Sequence, residues 1–462
     1  MTKVLLIGLD GATFDVVMPM LKDLPNLRRL MEKGSYGTLS STPLPLTGQA
    51  WPSMFTGKNP GKHGIYDFLQ AKKTNLSQSQ HVRSCSFERK LMTSEDIDAE
   101  PLWDILAGYG LKSMIVNVPM TYPAKPINGC MITGVPHPPD TYPKELRSIL
   151  PAGYKTLSGR RDFGEIVRMG EDVTKVSSEL MEEAWDFFMV VISSTDFVGH
   201  WFWNEREKVK EVYKRADEMI GRLVKKAGSG TIVLVASDHG MGPLKKYVHI
   251  NNWLVQKGYL VFKGGMRTSL KRGLFKAGFT LENARKAAFM LRTSGTGSSR
   301  LFRLIDRVFL SFSDIDWKKT RAYSSMNNSP IFLTDPSVKR ELMGRLGELT
   351  YNGEKLVNSI QVKEDAYWGP HADEAPDIIF HCHNWEYSTK TYSEFASNRL
   401  LSDPEGGFQG DHRPEGIFIV PGKSRTKKAS IYDIAPTVLS LFGLPVPEGM
   451  DGRPLVKGAK PR

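Results

Sequence analysis

The chain has 462 residues, of which 40% are hydrophobic and 24% are charged, and its formal net charge is +12. This composition is close to that of average soluble globular proteins, which argues against a disordered or fibrous chain. Its apolar stretches, such as Phe187–Ile192, are far shorter than the roughly 20 residues that a membrane-spanning helix needs. Three widely separated cysteines, Cys85, Cys130 and Cys382, argue against a disulfide framework and a cysteine-based zinc ribbon.

Taken in chain order, short apolar runs alternate with helical patterns. The runs occupy residues 4–8, 113–117, 187–192, 231–235, 377–380 and 416–420. Because they are continuous rather than alternating, they predict strands buried on both faces, as in a parallel sheet. Helical patterns at 102–106, 178–186 and 216–226 lie between them. This order predicts an α/β fold, an α/β/α sandwich with a largely parallel central sheet.

The beginning of the chain favours a strand over a secretory signal. Its first apolar run covers only residues 4–7, which is short for a signal sequence. We therefore expect a cytoplasmic protein, either free or peripheral to a membrane.

A basic segment interrupts the alternation between residues 257 and 325. Residues 263–320 hold 13 Lys and Arg against 4 Asp and Glu, an excess of 9 in a chain whose net charge is +12. A helical pattern over 300–310 places Arg300, Arg303 and Arg307 on one face. We predict a catalytic core formed by residues 1–256 and 326–462, with 257–325 as a basic helical insertion or cap. The insertion is either a solvated surface, a cap that faces a lipid or polymer substrate, or a surface that binds an anionic membrane or nucleic acid.

Acidic and histidine side chains lie beside the buried strands. In open α/β sheets, ligands bind beyond the carboxyl ends of the strands. A single Asp in such a place is often only a helix cap. Three Asp and three His together could supply two sites with mixed nitrogen and oxygen ligands, a combination that zinc accepts. The six candidate ligands are Asp10, Asp196, His200, Asp238, His239 and His412.

Several motifs give the chain a specific resemblance. They include LDG at 9–11, a threonine loop at 41–53 followed by HGI at 63–65, DFVGH at 196–200, SDHG at 237–240 and MDGRPL at 450–455. With these motifs the chain resembles the alkaline phosphatase superfamily, in its type I phosphodiesterase/nucleotide pyrophosphatase branch. The resemblance covers the core but not the basic insertion.

This resemblance implies a nucleophile and two divalent metal ions. In that branch the nucleophilic Thr stands nine residues before a Thr-Gly pair that leads into His-Gly-Ile, and Thr47 has this spacing, whereas Thr42 and Ser53 do not. The ions would be zinc, with manganese as the alternative. By the same resemblance, one ion would be held by Asp196, His200 and His412, and the other by Asp10, Asp238, His239 and the Thr47 oxygen. His63 matches no ligand and is expected to order the loop.

The chemistry of phosphate ester hydrolysis requires such an arrangement. A threonine hydroxyl is a weak nucleophile at neutral pH, and coordination to a cation lowers its pKa. Phosphoryl transfer otherwise depends mostly on positioning and charge stabilisation. We therefore predict a metal-dependent hydrolase of a phosphate diester or pyrophosphate that acts through a phosphothreonine intermediate.

One position departs from the pattern of the nucleotide pyrophosphatases. Those enzymes place an Asn 21 residues after the nucleophile to bind a phosphate oxygen, and this chain has Phe68 there. Phosphate recognition must therefore differ, for example through the Gly48 backbone N–H or through Lys and Arg from elsewhere. The departure weakens the transfer of nucleotide specificity more than the transfer of the metal chemistry.

Other functions of the same superfamily stay open to different degrees. A sulfatase is disfavoured, because the segment 85–89 lacks the proline of the modified-nucleophile motif. A phosphomutase or phosphomonoesterase of the same superfamily is the main alternative. A non-catalytic protein that binds a membrane or nucleic acid through the basic insertion is an alternative of another class, but it would not need all the metal-site positions.

Overall fold

Strands and helices alternate along most of the chain. The computed structural model describes residues 2–71, 89–284, 308–326, 328, 330–389, 395–404 and 406–458. Its strands are β1 Lys3–Leu9, β2 Gly34–Ser40, β3 Leu69–Ala71, β4 Arg89–Leu91, β5 Ser113–Val118, β6 Gly129–Thr133, β7 Thr141–Tyr142, β8 Phe187–Ile192, β9 Thr231–Ala236, β10 Gly240–Pro243, β11 Lys246–Val248, β12 Ala322–Tyr323, β13 Pro330–Leu333, β14 Thr350–Tyr351, β15 Glu354–Lys355, β16 Val357–Val362, β17 Ile378–Cys382, β18 Tyr387–Thr389, β19 Leu401–Ser402, β20 Gly410–Arg413, β21 Glu415–Pro421 and β22 Lys428–Ser430.

The α-helices are distributed between these strands. They are α1 Phe14–Val17, α2 Pro25–Lys33, α3 Thr47–Thr56, α4 Pro60–His63, α5 Leu102–Gly108, α6 Phe163–Leu180, α7 Ser194–Phe202, α8 Arg206–Ala227, α9 Ile250–Gln256, α10 Met266–Lys276, α11 Lys339–Gly347, α12 Lys363–Ala366 and α13 Ile434–Leu441. Short 3-10 helices lie at Leu21–Asp23, Ser94–Asp96, Lys144–Ile149, Phe312–Asp314, Pro336–Val338, Ala372–Glu374, His383–Trp385 and Ile431–Asp433. Among the described helices, not one combines the length and the hydropathy that crossing a bilayer demands.

A nine-stranded central sheet has the order β22-β2-β21-β9-β1-β8-β5-β6-β7. In its middle, β1 pairs in parallel with β8 and β9, so that Val4 lies opposite Phe187 and Gly8 opposite Ala236. The parallel pairing continues through β5 and β6, whereas β7 and β21 run antiparallel to their neighbours. The sheet is therefore largely parallel, as the continuous apolar runs predict.

Both faces of the central sheet are buried under helices. Along β1, Leu5 and Ile7 belong to one core cluster and Val4 and Leu6 to the other. Residues of α2, α6, α7 and α8 fill the first cluster, and residues of α3, α5 and α13 fill the second. This arrangement confirms the α/β/α sandwich.

A second sheet has the order β12-β13-β17-β18-β11-β19, with β16 paired to β17. Its core cluster packs Tyr259 and Leu260 together with Ile331 and Phe380. The apolar run at 377–380 thus lies in this second sheet and not in the central one. The range 257–325 contributes α10 and β12 to this region, and the predicted division of the chain into core and insertion stays a prediction. The predicted basic helix at 300–310 lies largely outside the described residues.

One predicted helix is shifted along the chain. The pattern at 178–186 predicts a helix, but α6 ends at Leu180 and a turn leads from it into β8. At the end of the pattern, the Asp186 backbone N–H donates to the Lys112 carbonyl at 2.9 Å, and the Asp186 carboxylate accepts from the Lys112 backbone N–H at 2.9 Å. These bonds hold Asp186 against the start of β5, so it cannot continue a helix.

Candidate active site

The candidate site lies where the parallel strands β1, β8 and β9 end. Asp10 directly follows β1, and Asp238 and His239 follow β9. The Asp10 backbone N–H donates to the Ile192 carbonyl at 3.2 Å, which extends the pairing of β1 and β8 by one step. The carboxyl ends of neighbouring parallel strands meet at one edge, so these side chains lie close together.

A helix and a hairpin supply the other three candidate ligands. Helix α7 begins two residues after β8, with Asp196 in its first turn and His200 one turn later, on the same face. His412 lies on β20, which pairs with β10 so that His412 is opposite Met241. Because β10 follows His239 immediately, this pairing brings His412 back to the edge of the central sheet.

The structure brings the six side chains into two groups whose ligand atoms lie within 4.8 Å of one another. In the first group, Asp196 Oδ1 is 3.4 Å from His200 Nε2 and 3.5 Å from His412 Nε2. In the second group, His239 Nε2 is 3.6 Å from Asp10 Oδ1 and 3.2 Å from Asp238 Oδ2. The His239 and His412 rings stack with centroids 3.7 Å apart, so the two groups are adjacent.

Backbone carbonyls orient all three imidazoles. His200 Nδ1 lies 3.0 Å from the Gly410 carbonyl oxygen, His412 Nδ1 2.6 Å from that of Pro45, and His239 Nδ1 3.0 Å from that of Gly240. A carbonyl oxygen only accepts, so each Nδ1 donates, and a neutral ring then carries its lone pair on Nε2. His200 Nε2 and His412 Nε2 are only 3.0 Å apart. Two lone pairs at that separation repel each other unless a cation or a proton lies between them.

Each of the three carboxylates also has an oxygen without a hydrogen-bond partner. Among the described residues, the buried carboxylate oxygens without a hydrogen-bond partner are Asp10 Oδ1, Asp196 Oδ1 and Asp238 Oδ2. The other oxygens of Asp10 and Asp238 are held: Trp51 Nε1–H donates to Asp10 Oδ2 at 3.2 Å, and the Gly11 backbone N–H donates to Asp238 Oδ1 at 3.3 Å. Buried polar atoms are normally satisfied, so three orphaned oxygens that face three Nε2 atoms fit metal ions.

Close packing of these charges shifts their pKa values. Burial, and then the Asp238 and Asp196 charges, raise the pKa of Asp10 well above its ordinary value. Burial and then Asp196 raise the pKa of Asp238 to about 8. Burial would also raise the pKa of Asp196, but His200 and His412 outweigh it and hold that pKa below its ordinary range. The site therefore favours added positive charge.

The imidazoles respond in opposite directions. Burial, and then the neighbouring His412, lower the pKa of His239 well below its ordinary value. Burial would lower the pKa of His412 too, but the neighbouring Asp196 carboxylate raises it to about 9. His239 is thus kept neutral, the state in which an imidazole ligates a metal.

Thr47 is the first residue of α3 and points into the second group. Its Oγ1 lies 3.1 Å from His239 Nε2, and its side chain lines the cavity described below. Gly8 makes this approach of α3 possible, because a Cβ at that position would lie 2.4 Å from the Trp51 ring. The same Trp51 holds Asp10, so α3 positions both the hydroxyl and one carboxylate.

The competing hydroxyls are engaged elsewhere. Thr42 Oγ1 donates to the Leu44 carbonyl at 2.6 Å, and Ser53 Oγ lies 2.9 Å from His63 Nε2. His63 Nδ1 accepts a hydrogen bond from the Ile65 backbone N–H at 3.2 Å, and burial lowers its pKa to about 3. His63 therefore orders the loop after α3 and is not part of either group.

A cavity of about 290 Å³ opens beside Thr47, His200 and His412. Phe68, where the resemblance leads us to expect an Asn, lies in its wall next to Gly48. Its other lining residues are Leu46, Asp67, Leu244, Tyr247, Asn328, Ser388, Thr389, Phe408, Gly410 and Asp411. Trp201 and Trp203, which flank the His200 region, are buried in the core.

Sequence reasoning missed the part of this wall that comes from the second sheet. Asn328 and Ser388 face the cavity and are joined by a hydrogen bond of 2.9 Å from Ser388 Oγ to Asn328 Oδ1. Neither residue follows a predicted strand end or stands in a known motif. The two residues are 60 positions apart in the chain, and no sequence signal could have shown that they lie side by side.

The type I phosphodiesterase / nucleotide pyrophosphatase family model matches residues 4–292. This range is more than half of the chain and contains Thr47 and the candidate ligands other than His412. No curated protein matches the chain.

Several solved structures have a similar fold. Phosphonoacetate hydrolase from Sinorhizobium meliloti 1021, solved with phosphonoformate, is 14% identical and has a TM-score of 0.58, with 94% of each chain covered. Murine ectonucleotide pyrophosphatase / phosphodiesterase 5 is 13% identical with a TM-score of 0.53 and 96% of each chain covered. The alkaline phosphatase PafA is 14% identical with a TM-score of 0.51 and 98% of each chain covered. At these identities the likeness shows a shared fold.

Proposed function

Because the chain belongs to the type I phosphodiesterase / nucleotide pyrophosphatase family and is a phosphoric ester hydrolase, we propose that it cleaves phosphodiesters or pyrophosphates by attack of the Thr47 hydroxyl on phosphorus. The observation that carries this proposal is the position of Thr47 Oγ1. It lies 3.1 Å from His239 Nε2, next to both groups of ligand atoms and in the wall of a cavity.

The donor sets fit two divalent cations. Asp196, His200 and His412 would hold one, and Asp10, Asp238 and His239 with the Thr47 oxygen would hold the other. When bound, such cations lower the pKa of a coordinated hydroxyl and neutralise charge on the phosphate oxygens. Mixed imidazole and carboxylate ligands suit zinc best, and manganese is the alternative.

The proposed reaction has two displacements at phosphorus. In the first, the Thr47 oxygen forms a bond to phosphorus, the bond to the leaving alcohol or phosphate breaks, and the leaving group takes up a proton. In the second, water attacks the phosphothreonine, the bond from phosphorus to Thr47 breaks, and the hydroxyl is regenerated. The overall change is hydrolysis of one phosphate ester or anhydride bond.

The start of α3 offers a place for a non-bridging phosphate oxygen. The first backbone N–H groups of a helix have no partner within it and attract anions. Gly48 supplies one of them beside the nucleophile. A Cβ at Gly48 would lie 2.7 Å from the Phe68 backbone nitrogen, so the absence of a side chain lets the 67–68 segment pack here.

The cavity favours a diester over a monoester. A monoester needs room for one organic group only, whereas about 290 Å³ beside Thr47 also accommodates a second substituent. Phe68, Tyr247 and Phe408 offer apolar surface to it. The alternative function that uses the same metal ligands is that of a phosphomutase or phosphomonoesterase.

The test compares Thr47→Ala with Thr42→Ala. Turnover of nitrophenyl mono- and diesters, nucleotides and a lipid phosphate is measured together with the metal content of each protein. Thr47→Ala should lower turnover on the order of 10⁴-fold or more and leave most of the metal bound, since six other ligands remain. Thr42→Ala, from the same loop, should keep its turnover.

Mass spectrometry of the wild-type protein quenched during turnover should find phosphate on the peptide that contains Thr47. Retained turnover in Thr47→Ala would overturn the assignment of the nucleophile. Faster turnover of monoesters than of diesters would instead favour the phosphomonoesterase.

A further inference from the structure

Helix α10 presents apolar side chains to solvent and buries a lysine. Met266, Leu270 and Leu274 are 89%, 64% and 39% exposed. Spaced four residues apart, they form one stripe along the helix. Lys271, about 100° around the helix from Leu270, is 5% exposed. A helix on the surface of a globular protein normally has the reverse arrangement, with apolar residues inside and lysines outside.

Contacts of the buried side hold the helix in this orientation. Lys271 Nζ lies 2.9 Å from Asp314 Oδ2, and both side chains are buried. Phe275, one turn later, packs against the core of the second sheet. Rotating the helix to cover Leu270 would separate Lys271 from Asp314 and leave a buried charge unpaired, which is costly. The apolar stripe therefore stays directed outward.

Exposed apolar surface is concentrated in this part of the described chain. Five of its twelve large exposed hydrophobic side chains lie between residues 266 and 308: Met266, Leu270, Leu274, Phe279 and Val308. Single exposed hydrophobic residues are ordinary, but a cluster indicates an interaction surface.

The same segment is strongly basic. Residues 263–284 contain five Lys and Arg and one acidic residue, Glu282, which is buried. Apart from the paired Lys271, the basic residues are exposed: Lys263, Arg267, Arg272 and Lys276. The α10 surface, defined as the stripe Met266, Leu270 and Leu274 with these four basic residues, is thus both apolar and positive.

We propose that the α10 surface docks the protein on an anionic lipid membrane. The stripe would enter the boundary between headgroups and acyl chains, and the basic residues would face the anionic headgroups. A nucleic acid would use the basic residues but gains nothing from exposed Met and Leu, so the apolar stripe favours a lipid surface. This docking goes beyond the proposed function and does not depend on Thr47.

The test is co-sedimentation of the full chain with two kinds of vesicle, phosphatidylcholine alone and phosphatidylcholine mixed with phosphatidylserine. The wild-type protein should bind the mixed vesicles, and the binding should weaken as salt is added. Arg267→Glu/Lys276→Glu should reduce binding at least tenfold, since each basic residue near the surface contributes about fivefold. Met266→Asp/Leu270→Asp should reduce it similarly. Leu157→Asp is the matched control, because Leu157 is 50% exposed outside this surface and its variant should bind like the wild type.

Turnover of a soluble nitrophenyl diester and the melting temperature should be the same in all these proteins, because the substituted side chains are exposed. The proposal is overturned if the wild-type protein ignores anionic vesicles or binds neutral ones equally well. It is also overturned if the variants keep their vesicle binding and lose only binding to a nucleic acid duplex.

Discussion

Two buried aspartates next to the central sheet have opposite surroundings. Asp217 on α8 accepts hydrogen bonds from the backbone N–H groups of Leu27 at 2.7 Å and Asn26 at 3.1 Å, and from Asn26 Nδ2 at 2.9 Å. Asp238, after β9, accepts one long bond at 3.3 Å from Gly11, and its other oxygen has no hydrogen-bond partner.

The difference shows what each charge is for. Asp217 completes the start of α2 by binding its free backbone N–H groups, so its charge stabilises the fold. Asp238 faces Asp10 and Asp196 and gives the fold little in return, since burial and then the Asp196 charge raise its pKa. A buried charge that the fold leaves unsatisfied is best explained by a ligand that is still to be bound.

A large expected effect on turnover separates these two aspartates. Asp238→Asn should lower turnover on the order of 10³-fold, since it removes a charged ligand from the second group. In the metal-free protein the same change should raise the melting temperature by about 2 °C, because it relieves repulsion among buried carboxylates. Asp217→Asn should do the reverse, keeping its turnover while losing about 1–3 kcal/mol of stability, since an amide nitrogen would face two donors.

Turnover and thermal melting of both variants, with and without metal, decide this prediction. If Asp238→Asn destabilises the metal-free protein as much as Asp217→Asn does, then Asp238 serves the fold and the contrast fails.

Removal of the metal ions also tests the difference between Asp217 and Asp238. Dialysis against a chelator should abolish turnover and lower the melting temperature, since an ion at 100 times its Kd stabilises the folded state by about 2.7 kcal/mol. Turnover should return with zinc or manganese. The ion of the first group should leave first, because His200 is 18% exposed, whereas His239 and Asp238 are fully buried.

Asp217→Asn should show the full decrease in melting temperature on chelation, and Asp238→Asn a smaller one. Equal decreases in both variants would mean that Asp238 binds no ion.

The sequence predicts those parts of the structure that depend on local sequence patterns. The buried strands at 4–8 and 187–192 can be predicted because continuous apolar runs reflect burial on both faces. The candidate ligands can be predicted because Asp10, Asp238 and Asp196 come one, two and four residues after such strands. Their assembly into two groups is then a consequence of parallel pairing at one edge.

The rest could not be predicted, because it depends on contacts between distant segments. The run at 377–380 looks like the other buried strands, yet it pairs with β16 and β13 in a different sheet. Asn328 and Ser388 enter the cavity wall only because that sheet folds over Thr47. Lys271 is buried because of Asp314, 43 residues away, and no local pattern predicts an inward lysine.

A substitution at Gly48 tests the proposed phosphate-binding role of the start of α3, with a smaller expected effect on activity. In Gly48→Ala the new Cβ would lie 2.7 Å from the Phe68 backbone nitrogen and 3.1 Å from the Asp67 carbonyl carbon. The 67–68 segment must shift, and kcat/KM should fall about 10- to 100-fold, with a stability loss of about 1–3 kcal/mol. Gly344→Ala, a helical glycine with open space around it, is the control and should keep full activity. An unchanged kcat/KM in Gly48→Ala would show that the packing of Phe68 against α3 does not contribute to binding of the substrate phosphate.

The smallest effect concerns a charge that has partners but lies near solvent. His371 Nε2 is 2.9 Å from Asp98 Oδ2, and its Nδ1 is 3.0 Å from Glu374 Oε1. Partial burial would lower the pKa of His371, but these two hydrogen bonds raise it above the ordinary value. The raised pKa means that the folded state holds the proton more tightly, so the stabilisation is full below about pH 6.5 and is lost as the pH rises through the raised pKa.

His371→Gln should therefore destabilise the protein below about pH 6 and have little effect above about pH 9. The difference should be at most about 1 kcal/mol, because Asp98 and Glu374 are exposed. Urea unfolding of the wild type and of His371→Gln at the two pH values measures this difference. Both proteins are kept in the same metal state, so that titration of the metal ligands affects both equally. A destabilisation that does not change with pH would mean that packing, and not the charge of His371, links it to Asp98.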